Sequence, residues 1–205
     1  MKNVGCLAVV GVLVVVGIVA AIAGAGVYNG LVTAQQAVDS QWANVQGAYQ
    51  RRADLIPNLV ATVKGSANFE QKTLEDVVKA RAQVGQVSAQ ANPTITNDPQ
   101  ALQRFQAAQD NLSGALGRLL VVVERYPELK SVGNFTNLMV QLEGTENRIN
   151  VERKHYNDVA QAYNTRIHRV PAAWFIGLLR WSFAPKAYFQ AAAGSENAPK
   201  VDFGT

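Results

Sequence analysis

One cysteine, two histidines and a charged fraction of 17% are the scarcities of this 205-residue chain, and each excludes something. A lone Cys6 rules out an intrachain disulfide framework and any multi-cysteine metal site. The histidines, His155 and His168, lie 13 positions apart on one helical segment, which leaves them about 140° apart around its axis and unable to share a site. No G-x-S-x-G, phosphate-binding loop or H-E-x-x-H occurs, so the chain offers no convergent nucleophile, base or metal set. Glu143 and Glu146, three apart on a helix, read as ordinary surface charge rather than a cation site. The chain is mildly basic, net +4 with a pI near 9.3, but its Lys and Arg are scattered without an aromatic or motif-supported patch. Nucleic acid is therefore not an expected partner. Neither catalysis nor a cofactor is expected. No stretch alternates with period two, so no strand is expected either.

A long apolar run is present. Val4 to Val27 carries no charge, and its helix would be roughly 36 Å long against a bilayer core of about 30 Å. A cleaved signal peptide is the rival reading, because Ala21-Ile22-Ala23 and Ala23-Gly24-Ala25 have A-x-A form; secretory apolar cores usually run only about 7–15 residues. Lys2 precedes the run, and the next basic residues are Arg51 and Arg52. The positive-inside rule then keeps the N-terminus in the cytoplasm and sends the rest outside. The expected location is a bacterial cytoplasmic (inner) membrane, crossed once, with an extracytoplasmic bundle. Within the run Gly17, Ala21 and Ala25 recur at four-residue intervals, a small-xxx-small pattern that lets spans approach closely.

Beyond Tyr28 the pattern is helical. Val38, Trp42, Val45, Tyr49, Ile56, Leu59 and Val63 fall on three-four steps, with Arg52 the one break, and Gly65 closes the segment. A second segment, about Asn68 to Ser88, places Leu74, Val77, Val78, Val84 and Val87 on one broad face. Asp98 before Pro99 reads as an N-cap followed by proline at the first helical position. The third segment then carries apolar three-four spacing from Leu102 to Tyr126, and the fourth runs from about Phe135 to Val170. The expected fold is all-α: a transmembrane helix, then an antiparallel up-down-up-down bundle of four long helices. The expected divisions are 1–27, stub and span; 28–170, bundle; 171–190, an aromatic membrane-proximal segment; and 191–205, a mobile tail. Trp174, Phe175, Trp181 and Tyr188 stand where the last helix returns toward the membrane. They contact the interface, cover the open end of the bundle, or do both.

Several stretches closely resemble the LemA family: "QRRADLIPNLV", "TLEDVVKARAQV", "RYPELKSVGNFTNLMVQLEGTENRINVERKHYNDVAQAYNTRI" and the closing "VDFG". The resemblance covers the chain from about Tyr28 to its end. It implies a membrane-anchored bacterial protein with an antiparallel helical bundle, and a partnership with a membrane metalloprotease or another envelope protein, since such proteins are often encoded beside them. Many members carry His where this chain has Phe69, so no metal or proton role is expected there.

The densest polar cluster is "AYQRRADLIPNLVATVKG", residues 48–65. Arg52 sits on the seam, and a buried guanidinium costs several kcal/mol unless paired. Counting equal depths along the helices nominates Glu146 first and Glu143 second. Arg51 faces outward within reach of Asp54, and Pro57 removes a helical hydrogen bond and predicts a kink. The kink either tunes curvature or marks a binding notch. Three functions remain open: a self-associating scaffold or assembly module, a sensor or adaptor for a membrane protease, and an envelope hydrolase. The first suits a non-enzymatic homo-oligomer best.

Overall fold

A computed structural model describes residues 2–65, 70–90, 95–130 and 133–190. Phe69 and the expected mobile tail, 191–205 with its "VDFG", lie outside the described residues. Among those described, the chain is helical with no strand. Its helices are α1 (Lys2–Lys64), α2 (Gln71–Gln90), α3 (Pro99–Val123), the four-residue α4 (Pro127–Lys130), α5 (Gly133–His168) and α6 (Ala172–Leu179). α1 passes position 27 without interruption, so the apolar run and the first bundle segment are one helix. It also remains helical through Pro57.

Two compact units emerge. The first comprises residues 1–59 and 136–186, the second 60–135 and 187–205. In the first unit the seam of α1 is buried from Val38 through Leu59, Arg52 included. Leu142, Ile149, Tyr156, Tyr163 and Ile167 of α5 are buried as well. Trp42 and Tyr156 pack edge to face with centroids 5.8 Å apart. Contacts fall along α5 as they rise along α1: Gly30 lies against Arg166, Gln41 bonds Glu152, and Arg52 bonds Glu146. The two helices therefore run antiparallel. Each fully buried Leu, Ile or Val along the seam contributes about 1.5–3 kcal/mol.

In the second unit α2 packs on α3. Leu74, Val77, Ala80 and Val84 are buried on α2, and Leu102, Phe105, Leu112, Leu119 and Val122 on α3. Val78 departs from its expected place and is 50% exposed, because it lies one helical step, about 100°, from Val77. Asp98 caps α3, its Oδ1 accepting from Gln100 N–H at 2.9 Å and Ala101 N–H at 3.2 Å. The helix stops at Val123, short of the expected Tyr126. Arg125 and Tyr126 donate to the carbonyls three residues back, because Pro127 disfavours continued α geometry at Tyr126. Before the cap, Ile95–Asn97 forms a 3-10 turn with Ile95 and Thr96 buried.

Candidate functional site

The polar groups of the first unit sit between α1 and α5. Arg52 is 2% exposed, and its Nη1 donates to Glu146 Oε2 at 2.7 Å, with Glu146 half-exposed. The guanidinium also lies over the Tyr49 ring, 5.3 Å from its centroid. Burial falls on the arginine, whose charge is weakly hydrated, while the carboxylate keeps contact with water. Glu143, the second choice for this partner, is exposed and takes no part.

The expected Arg51–Asp54 pair is not formed. Asp54 Oδ1 instead accepts from Gln50 Nε2 at 2.7 Å, one turn earlier on the same helix. Arg51 instead lines an open groove. A second acid sits closer to the seam than either expected glutamate. Glu152 is buried, accepts from Gln41 Nε2 at 2.7 Å and pairs with Arg148 at 3.2 Å. Its signal was available, because position 152 continues the three-four spacing between Ile149 and Tyr156.

Near the end of the apolar run lies an aromatic cluster. Tyr28 meets Trp181 and Phe183 edge-on at 5.0 and 5.7 Å, and Phe175 stacks on Trp181 at 6.0 Å. Phe175 is seated on Gly24, where an added Cβ would stand 3.2 Å from the ring. Outward from this seat α6 exposes Trp174, Leu178 and Leu179. Tyr188 belongs to the second unit and is exposed. Gly17, Ala21 and Ala25 all lie exposed on α1, and a Cβ built at Gly17 meets nothing within 4 Å.

α6 ends at Arg180, in the left-handed region at φ 54°, and the chain continues as a non-helical strap. Sequence reasoning did not foresee it. Its residue 186 is gripped at both backbone atoms by the Asn164 carboxamide: Lys186 N–H donates to Oδ1 and Asn164 Nδ2 donates to Lys186 O, each at 2.8 Å. Tyr163 OH donates to Ala184 O at 3.1 Å. Lys186 itself is buried, 3.3 Å from Asp39 and above the Tyr163 ring. Burial and the nearby Asp39 charge push the Tyr163 phenol up to about 12. In the second unit Gln106 grips residue 190 in the same two-pronged way, at 2.7 and 3.2 Å. Ala187 N–H donates to Thr96 O at 2.7 Å. The strap climbs from Tyr28 at Trp181 to Asp39 at Lys186.

This arrangement pairs acids with bases and amides with backbone, and it holds no group of three or more metal-ligating side chains among the described residues. His155 and His168 are both exposed. An exposed apolar helix end that fits a single-pass membrane anchor, continued into a helix whose apolar seam is buried, defines a membrane-associated helical protein. The chain belongs to the LemA family, whose profile matches residues 41–203. Among curated relatives, the magnetosome protein MamQ 2 of Paramagnetospirillum magneticum is 28% identical over 178 residues, 80% of this chain and 64% of the relative. The protein LemA of Metamycoplasma hominis is 22% identical over 140 residues, 68% and 59% of the two chains. The chain thus spans a little under two thirds of the curated relatives it matches. Neither the family's name nor the relatives' names denote an enzyme.

Proposed function

We propose that this protein is a non-catalytic assembly module, fixed in the cytoplasmic membrane by α1 with its N-terminus inside and its bundle outside. One observation carries the reading: α1 is a single helix that lies bare and apolar from Val9 to Ile22, while its seam from Val38 to Leu59 is buried. A rigid continuation of that kind transmits the position of the span to the bundle without a flexible joint. The complete up-down-up-down bundle of α1, α2, α3 and α5 is part of this reading. It is supported by the antiparallel α1–α5 pair and by the packing of α2 on α3. The interfacial role of α6 is supported by Phe175 on Gly24, which sets the exposed Trp174 and Leu178 beside the outer end of the apolar run. Self-association occurs through Gly17, Ala21 and Ala25, whose open faces admit a second span closely. The names of the relatives, a magnetosome protein and LemA, attach no reaction to them, which favours assembly over hydrolysis.

The test is the mass of the full-length protein in mild detergent over a wide concentration range. The expected result is an oligomer that Gly17→Leu and Ala21→Leu dissociate. A monomer at every concentration would overturn self-association.

A further inference from the structure

The first unit contains a groove that none of these roles uses. It lies between α1 and α5 and measures about 620 Å³. Two stretches of the same form line its walls: Asn44-x-x-Gly47-Ala48-x-x-Arg51 on α1 and Gln141-x-x-Gly144-Thr145-x-x-Arg148 on α5. Spacing of three, four and seven puts each set on one face of its helix. The helices are antiparallel, and the contacts of Gln41 with Glu152 and of Arg52 with Glu146 set their register. Each arginine then stands roughly level with the glycine and its small neighbour on the facing helix. The two guanidinium groups belong to levels within about one turn, roughly 5 Å along the axis.

Two observations indicate what the groove admits. The first is charge: among the described residues Arg51 is exposed and forms no ion pair, and Arg148, 67% exposed, pairs only with Glu152 along its own helix. Cations brought together on the walls of a groove focus a positive potential into it. The second is room at the backbone. A Cβ built at Gly47 or Gly144 meets nothing within 4 Å, so packing within the chain requires neither glycine, although each weakens its helix relative to alanine. A floor of Gly47, Ala48 and Gly144 lets another helix axis approach at close range. A second copy presenting this same groove would set arginine against arginine, which disfavours it.

We propose that this groove docks one α-helix of a partner protein, recognised by two carboxylates a turn apart that pair with Arg51 and Arg148 while its small residues rest on the glycine floor. The inference rests on the reading of the protein as an assembly module and names the partner's chemistry.

The test uses the full-length protein in detergent and a fluorescent alanine-rich helical peptide of roughly 20 residues, long enough to hold a helix, with Glu at two positions four apart. Its twin carries Gln at both. Fluorescence anisotropy should show saturable binding of the Glu peptide, with the Gln peptide about tenfold weaker or more, since charge-assisted bidentate pairs are lost. The doubly substituted Arg51→Gln/Arg148→Gln protein should lose the same factor. Gly47→Leu should block binding, and Gly47→Ala should leave the circular dichroism intact as a folding control. Absence of binding, equal binding of the two peptides, or retention by the double variant would overturn the proposal. So would displacement of the peptide by glycerol phosphate or by phosphatidylglycerol vesicles below the peptide's own concentration, which would assign the groove to phosphate. Neither arginine touches the span, so oligomeric mass is unaffected, and failure here is distinct from failure of the assembly reading.

Discussion

The two parts of α1 share one backbone and have opposite surroundings. Between Val9 and Ile22 the large apolar side chains are 51–69% exposed, whereas Val38, Val45, Leu59 and Val63 are wholly buried. Helical geometry is common to both, so what separates them is pattern. The first part is apolar all round and the second apolar on one stripe. A uniform surface suits a solvent that is itself apolar, and a stripe suits a specific partner such as α5. Charge introduced in the two parts should therefore produce opposite failures, and this is the largest effect expected. Val15→Arg with Ile18→Arg places two charges at mid-run, each costing about 2.5–3.5 kcal/mol in a bilayer core. Alkaline carbonate should then extract the protein, with its protease-resistant unit intact. Val38→Arg should reverse the outcome, with the chain held in the membrane and the unit open to protease. If both substitutions destroyed the same property, the contrast would fail.

Within the paired part, the two glutamates sharpen the question of which contacts matter. Glu146→Ala strips Arg52 of its carboxylate while the guanidinium stays buried. Fully buried pairs lose 3–5 kcal/mol on such a change; because Glu146 is half-exposed, about 2 kcal/mol is expected. Glu143→Ala, on the same helix and exposed, should change stability by less than about 0.5 kcal/mol. Thermal unfolding followed by circular dichroism in detergent separates the two. Equal losses would mean that helix charge, and not the Arg52 contact, is being measured.

These particular residues also mark how far the sequence could be read. The seam of α1 was legible in full, Arg52 included, because three-four spacing on a long helix reports burial directly. Depth counting reached Glu146 because two antiparallel helices share one rise per residue. Arg51 with Asp54 was misread: on an exposed face several partners lie within reach, and spacing cannot say that Gln50 takes Asp54. Glu152 was legible too, since it continues the three-four spacing of Ile149 and Tyr156, but an acid on a buried stripe gives no signal of its own in an apolar pattern. The strap was not legible at all. A non-helical segment held by the carboxamides of Asn164 and Gln106 has no periodicity of its own, and its grip depends on residues 22 and 84 positions away.

The strap is a non-helical contact of the paired part, and its grips give the third test. Asn164→Ala removes both bonds to residue 186, and Gln106→Ala both bonds to residue 190. Each should cost about 1–2 kcal/mol, two ordinary hydrogen bonds with some exchange for water. Protease cutting between 180 and 190 should quicken in both variants, while the bare part of α1 remains in the membrane. Unchanged cutting would mean that the aromatic contacts of Trp181 and Phe183 hold the strap alone.

The smallest effect is a pH dependence confined to the paired part. Tyr163 is buried beside Asp39, and its phenol is raised from 10.0 to about 12. The raised value favours the neutral form in the fold, so its contribution is fully present below pH 10, where the phenol is neutral in both states. As pH rises from 10 toward 12, the unfolded chain loses its proton first and stability falls. At pH 11 the loss is about 1 kcal/mol. Tyr163→Phe removes the titration together with the bond to Ala184 O, so the variant should be less stable by about 1 kcal/mol at pH 8 yet flatter between pH 9 and 11. Denaturant unfolding at the two pH values reads both changes. A wild-type curve no steeper than that of the variant would place the alkaline sensitivity elsewhere and detach the strap from the charge of Asp39.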